Sequence, residues 1–255
     1  AAKLTTQPTL KKYLELRADA FLSNDYFASD MAWMGFGASI EPTIGPYETY
    51  EDEWFGYKAA FEAFIALRDD AETKKLGAFG AELQGLENAL PIDAKYRNTK
   101  LGALALIRVV NVVFSAGDGN RGVQTAAFNL PNDDRVIKEK GSKRVMLKNV
   151  QEAKFQKVLL PISAVALPLA DRKDVSFDAF FTHILMHELM HGLGPHNITA
   201  DGRASTVRQE LREHAGVDEL AQRPEAGDVG LGLLEGAFRL FQRGPHGLVA
   251  AGEPV

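Results

Sequence analysis

A chain of 255 residues that is 45% hydrophobic and 25% charged has the length for one large domain or two small ones, and the composition of an ordinary globular protein. A net charge of −5 argues against nucleic acid or an anionic membrane as the main partner. With no cysteine there is no disulfide, thiolate metal ligand or cysteine nucleophile, so any metal site must be built from histidine and carboxylate, which points to catalysis more than to structure.

Residues 1–22 hold no signal-peptide core. The longest apolar stretch, Val158–Ala170, is too short to span a bilayer and contains Pro161 and Pro168. The expected compartment is the cytoplasm, and a chain starting at Ala1 without methionine is expected to be processed or a fragment. Residues 9–34 and 54–90 repeat apolar positions at helical spacing and predict helices, the second rich in Ala, Leu and Glu. Residues 105–115, full of β-branched side chains, predict a strand.

Gly117-x-Gly119-x-x-Gly122 formally matches a dinucleotide fingerprint, but no long helix follows it, and a loop is the better reading. A second strand is predicted at Val123–Phe128, then a turn at Asn-Leu-Pro-Asn, residues 129–132. The block Asp133–Lys148 alternates charges and predicts a solvated surface; residues 149–170 predict a helix broken by proline. A β-containing middle followed by helices reads as α+β, with a mixed helix and β part at 1–150 and a mainly helical part at 151–255.

Residues 187–191 read His-Glu-Leu-Met-His. On a helix, His187 and His191 lie one turn apart on one face and can share a zinc ion, while Glu188 projects beside that face. A carboxylate there can deprotonate a water that zinc has brought to a pKa of about 7. Ser176 is placed to cap the helix; Phe177, Phe180, Phe181, Ile184, Leu185 and Leu189 give it an apolar face, and Gly192, Gly194 and Pro195 stop it. The bland alternative is a pair of core histidines, but so apolar a helix has no cheap use for three polar groups together.

A catalytic site needs a third protein ligand. His183 lies on the same helical face, where three ligands in a row cannot surround an ion, so it is expected in a supporting or core position. His196 nearly completes a metzincin motif, but the required position is Asn197, and no methionine follows Met190. A carboxylate from the segment Thr206–Gln222 remains, with Glu210, Glu213, Asp218 and Glu219 on offer.

Four separated motifs, IGPYETYEDEWFGYKAAFEAF (Ile44–Phe64), NLPNDD (Asn129–Asp134), GSKRVMLKNV (Gly141–Val150) and HELMHGLGP (His187–Pro195), resemble the dipeptidyl peptidase III family, in particular its bacterial HExxH-type relatives. The resemblance implies a two-lobed zinc exopeptidase that removes dipeptides from the N-termini of short peptides. It implies Tyr50, in Glu48-Thr49-Tyr50, as a donor to the tetrahedral intermediate, a suitable task for a phenol. It also implies that Glu48, Asn129 and Asn132 hold the substrate's free amino group, whose three N–H donors a carboxylate and two amide oxygens can accept. The third zinc ligand implied is Glu219, with Glu225 a weaker match; here the sequence departs from the family, with Leu220 where a second glutamate aligns and Pro224 in place of an acidic residue. Two rival readings are a metzincin-type endopeptidase with His196 on zinc, and a zinc-containing peptide-binding protein without turnover.

Overall fold

The computed structural model describes residues 1–48, 60–99, 101, 106–117, 120, 124–190, 192–195, 197–207 and 210. The fold is α+β, and the chain forms two compact units: Ala1–Leu83 with Lys100–Gly192, and Gln84–Thr99 with Leu193–Val255.

The first unit is organised by a five-stranded sheet of order β1-β2-β3-β5-β4. Its strands are β1 (Ile40–Glu48), β2 (Ala60–Arg68), β3 (Leu106–Gly117), β4 (Ala127–Leu130) and β5 (Lys143–Leu147). All neighbours are antiparallel except β3 and β5, which run parallel. The predicted helix at 9–34 is two helices, α1 (Pro8–Ser23) and α2 (Phe27–Gly35). Leu10, Tyr13, Arg17 and Ala20 form the buried stripe of α1 at helical spacing. The break falls at Asn24, which takes the left-handed conformation (φ 58°) that ends α1, while the Asp25 carboxylate accepts the Phe27 N–H, 3.2 Å, to start α2.

The predicted helix at 54–90 is corrected more sharply. Residues 70–89 are helical (α3, Asp70–Ala89), but 60–68 is strand β2. Its residues alternate: Glu62, Phe64 and Ala66 are buried, while Phe61 and Leu67 are each 47% exposed. Pairing on both edges, with β1 and β3, outweighs the helical preference of AFEAFIALR.

The charged block 133–148 is a second correction. It folds as α4 (Asp134–Lys140) and then β5, every residue of which is buried. A strand between β3 and β4 has no solvated edge, so its faces must be satisfied from within. Lys143, Val145 and Leu147 face the layer of α1 and α2, where Val145 and Leu147 join a core with Tyr13, Trp33 and Phe36. Arg144 points to the opposite side. The predicted second strand is found slightly later, at 127–130, so Asn129 belongs to β4 and not to a turn; the Leu130–Pro131 bond that follows is cis.

After β5, the Asn149 amide takes the place of a further strand residue, accepting from Val112 N–H (2.9 Å) and donating to Val112 O (2.8 Å). Residues 148–166 stay helical through Pro161: α5 (Lys148–Lys154) widens into a π turn (Phe155–Leu159) and continues as α6 (Leu160–Ala166). Pro161 lies just after the π turn, whose wider spacing (Leu160 N–H to Phe155 O) is where the continuous helix takes a residue that has no N–H to give. Next comes α7 (Phe177–Met190), the predicted metal-site helix, packed on β4, β5 and α5.

In the second unit, the buried Glu87 carboxylate accepts the N–H of Asn98 (2.7 Å) and of Gly194 (2.8 Å), and the Asn98 amide donates to Gly194 O (2.6 Å). Strands β6 (Asn197–Ala200) and β7 (Arg203–Thr206) form a hairpin around Asp201 and Gly202, both at positive φ. Among the described residues no helix is long and apolar enough to cross a membrane.

Candidate functional site

The site is built on the last turn of α7. Ser176 caps the helix as predicted: its Oγ accepts the Ala179 N–H at 3.2 Å. Aromatic packing fixes the first turns, with Phe155 lying 5.7 Å from Phe177 and 5.9 Å from Phe180, ring centre to ring centre. Phe181, Leu185 and Leu189 are buried as expected. At the C-terminal end His187 is half-buried and Glu188 is 7% exposed. His183, expected in a supporting or core position, is exposed.

Helix ends leave their last carbonyls without intrahelical donors. Here the Glu188 carbonyl accepts a bond from Arg144 Nε at 2.5 Å. Arg144 is 1% exposed; burial lowers its pKa to about 10, opposed by the Glu188 charge. Its Nη1 finds no hydrogen-bond partner among the described residues. Its Nη2 lies where a side chain at Gly192 would begin: a Cβ there would be 2.1 Å away. Gly192 is therefore required by the guanidinium as well as by the end of the helix.

Asn129 stands directly opposite Arg144 in the β4–β5 ladder, so the two side chains share the α7 face of the sheet. The Asn129 Oδ1 is buried and unpartnered among the described residues. Asn132 is exposed, and its Nδ2 donates to Tyr47 O at 2.9 Å. That bond ties the segment after β4 to the end of β1, where Glu48 follows a bulge at Pro46/Glu48 and pairs with Ala60. The structure thus brings Asn132 to the residue before Glu48, and Asn129 to the residue that holds Glu188.

A cleft of about 290 Å³ opens beside Asn132, walled by Arg17, Tyr26, Asp30, Tyr47 and Arg135 among others. Its floor is a buried ion pair between Arg17 and Asp30. The Arg17 guanidinium lies 5.4, 5.1 and 5.7 Å from the ring centres of Tyr13, Tyr26 and Tyr47. Burial pushes the Asp30 carboxyl up and the Tyr47 hydroxyl well up. Neither Arg17 nor Arg144 was singled out by sequence reasoning. Arg17 falls on the buried stripe of α1, a detectable signal, but Arg144 sits in a run of charges with nothing to distinguish it.

His191, His196, Tyr50 and Glu219 lie outside the described residues, as do Glu213, Asp218 and Glu225. Glu210 is described and is paired with Arg203 (2.9 Å) and Ser205. Among the described residues no three His, Asp or Glu side chains gather to hold a metal ion.

A family model described as peptidase family M49 matches residues 1–204. Among curated proteins the chain is 49% identical over 237 residues to Nudix hydrolase 3 of Arabidopsis thaliana, covering 92% of this chain and 30% of that protein. It is 28% identical over 161 residues to Dipeptidyl peptidase 3 of Nematostella vectensis, covering 62% of this chain and 21% of that protein. Among solved structures it is similar to dipeptidyl-peptidase III from Corallococcus sp. strain EGB, with 66% identity, a TM-score of 0.82, and coverage of 95% of this chain and 44% of that one. It is also similar to DPP III from Caldithrix abyssi, with 48% identity, a TM-score of 0.80, and coverage of 96% and 47%. The chain spans less than half the length of each of these relatives.

Proposed function

The chain belongs to peptidase family M49, the dipeptidyl peptidase III family, and from that premise we propose that it carries the core of a zinc-dependent exopeptidase that removes dipeptides from the N-termini of short peptides. The observation that carries this reading is the packing of α7 on β4: a buried glutamate on the last turn of one element, and on the other an asparagine whose buried oxygen has no donor among the described residues.

The donor chemistry fits zinc. His187 stands in the last turn of α7, the motif places His191 one turn on, and Glu219 supplies a carboxylate; imidazole and carboxylate are the donors available to a chain without cysteine. When bound, zinc supplies Lewis acidity toward water and the peptide carbonyl. Glu188 is the general base: it takes a proton from the attacking water and passes it to the leaving amine, so that one water is consumed per C–N bond broken. Its burial, under an α7 end fixed by Arg144, suits a carboxylate that must hold one orientation.

Tyr50 donates to the oxyanion. Glu48, Asn129 and Asn132 accept the N–H groups of the substrate's ammonium, which measures the distance from the N-terminus to the cleaved bond. Residues 1–150 hence supply the amine-binding groups and residues 151–255 the metal ligands and base. The substrate is a short peptide, and the cytoplasm is the compartment assigned.

The test is mass spectrometry of a short peptide and its N-acetylated twin after incubation with the zinc-loaded protein. Loss of a dipeptide from the free peptide alone is expected. Cleavage of both would replace the reading with an endopeptidase, and binding without cleavage of either would replace it with a peptide-binding protein. Glu188→Gln is expected to lower kcat by roughly a hundred- to ten-thousand-fold with zinc content unchanged; an active Glu188→Gln variant would remove the mechanism.

A further inference from the structure

We propose that Arg144 is a positioning residue that sets the cleavage register, by holding the turn that carries Glu188 against the strand that carries Asn129. The proposal rests on the exopeptidase reading above. Three observations converge on it.

The first is the bond from Arg144 Nε to the Glu188 carbonyl, 2.5 Å. A cation on one of the last carbonyls of a helix replaces the missing intrahelical donor and opposes the negative end of the helix dipole. The capped residue is the general base itself, so the backbone from which that carboxylate projects is fixed by Arg144.

The second is register. Arg144 is the direct ladder partner of Asn129, and directly opposed residues of an antiparallel pair have Cβ atoms about 5 Å apart on the same face. The lever from the amine-binding residue to the base is therefore one side chain long. A dipeptidyl peptidase must keep that lever constant, because a shift of one residue along an extended substrate is roughly 3.3 Å and would release a different product.

The third is incomplete satisfaction. Arg144 is buried, yet its Nη1 has no hydrogen-bond partner among the described residues, and the buried Oδ1 of Asn129 opposite it has none either. A buried guanidinium whose donors are not all met is costly to the fold, and groups that carry such a cost recur at functional sites. Gly192 completes the argument, since its lack of a side chain is what leaves Nη2 its place.

The experiment uses the full chain, loaded with zinc and given free peptides of four to eight residues, with kcat, KM and product lengths read by mass spectrometry. Arg144→Met is expected to lower kcat at least tenfold with KM within about threefold, and to release single residues or tripeptides beside the dipeptide. Arg144→Lys keeps a donor for the Glu188 carbonyl and is expected to recover most of the kcat and the single product length. Val145→Ala is the control: it lies on the same strand but faces the opposite side, and is expected to lower stability while leaving product length unchanged.

An Arg144→Met variant with wild-type kcat and dipeptide only would overturn the proposal. Should that variant not fold, Arg144→Ala decides: a kcat loss at constant KM with mixed product lengths supports the role, and wild-type kcat with dipeptide only overturns it. If the wild type releases no dipeptide, it is the exopeptidase reading that has failed, an outcome distinct from a normal Arg144→Met.

Discussion

Lys143 and Arg144 are adjacent buried cations on one strand, and they are treated in opposite ways. Lys143 donates to Glu41 Oε1 at 2.8 Å and to Trp33 O at 2.7 Å, and its Nζ lies 3.9 Å from the Trp33 ring centre and 4.7 Å from that of Phe36. Arg144 has one carbonyl and an unpartnered Nη1 among the described residues. The first cation is enclosed by the α1 and α2 side of the sheet and serves the fold; the second faces α7 and serves the site. Desolvation costs both of them, and among the described residues only Lys143 has a carboxylate in hydrogen-bond contact to offset it.

The largest effect that can break this comparison comes from Glu41. Glu41→Gln leaves the Lys143 ammonium buried without its countercharge and is expected to cost about 3–5 kcal/mol, read as a drop in the denaturant midpoint. Burial lowers the Lys143 pKa to about 8, while Glu41 opposes that shift. A lysine whose folded pKa is depressed gives up its proton before the unfolded chain does, so its burial becomes less unfavourable as pH rises from about 8 toward 10.5. Glu41→Gln removes the group that keeps the ammonium charged, so the gap to wild type is expected to narrow between pH 7 and pH 10. A gap that stays constant would mean that Lys143 does not titrate in that window.

A smaller effect sharpens the Arg144 side. Gly192→Ala puts a Cβ against a guanidinium that is itself confined, and is expected to cost about 1–3 kcal/mol. The same substitution in an Arg144→Ala background should cost almost nothing, because the clashing group is gone. A double-mutant cycle reads this directly. Additive costs would show that Gly192 is needed for the backbone alone.

How far the sequence reveals this molecule follows from the same contrast. Helix α7 and its Ser176 cap were legible, because a cap, an apolar period and a glycine stop are local signals. Strand β3 was legible from its β-branched residues. Strand β2 was not, because AFEAFIALR favours a helix until two neighbours pair with it, and pairing is a long-range fact. Strand β5 was not, because a Lys-Arg pair reads as solvent-facing unless Glu41 and the Glu188 carbonyl, 102 and 44 positions away, are known to meet it. Asp201-Gly202 was a readable hairpin signal that was passed over. For the candidate site, the family motifs pointed to Asn129 and Asn132, but the surroundings of these residues, with Arg144 opposite the first in the ladder and the Tyr47 carbonyl bonded to the second, join segments that no single motif contains.

The smallest expected effect is the surface counterpart of these buried charges. Asp133 caps α4 by accepting the Arg135 N–H at 2.9 Å, and it also holds the exposed Arg135 side chain at 2.6 Å. The Arg135 side chain, and then the Arg135 and Val136 N–H groups, keep the Asp133 carboxyl below the usual carboxylate range. A carboxylate with a depressed folded pKa contributes stability that is fully present above the unfolded value near 3.9 and is lost as pH falls through the folded one. Asp133→Ala is therefore expected to cost about 1 kcal/mol at pH 7, the ordinary worth of a helix cap, with the two stability curves converging as pH falls through the depressed folded pKa of Asp133. Asp133→Asn keeps an oxygen for the cap but loses the charge for Arg135. It should recover most of the deficit, because an exposed ion pair contributes little where solvent screens it. Recovery by Asn would place the stabilisation in the hydrogen bond, and no recovery would place it in the charge. The latter outcome would blur the distinction between surface and buried ions that Lys143 and Arg144 draw.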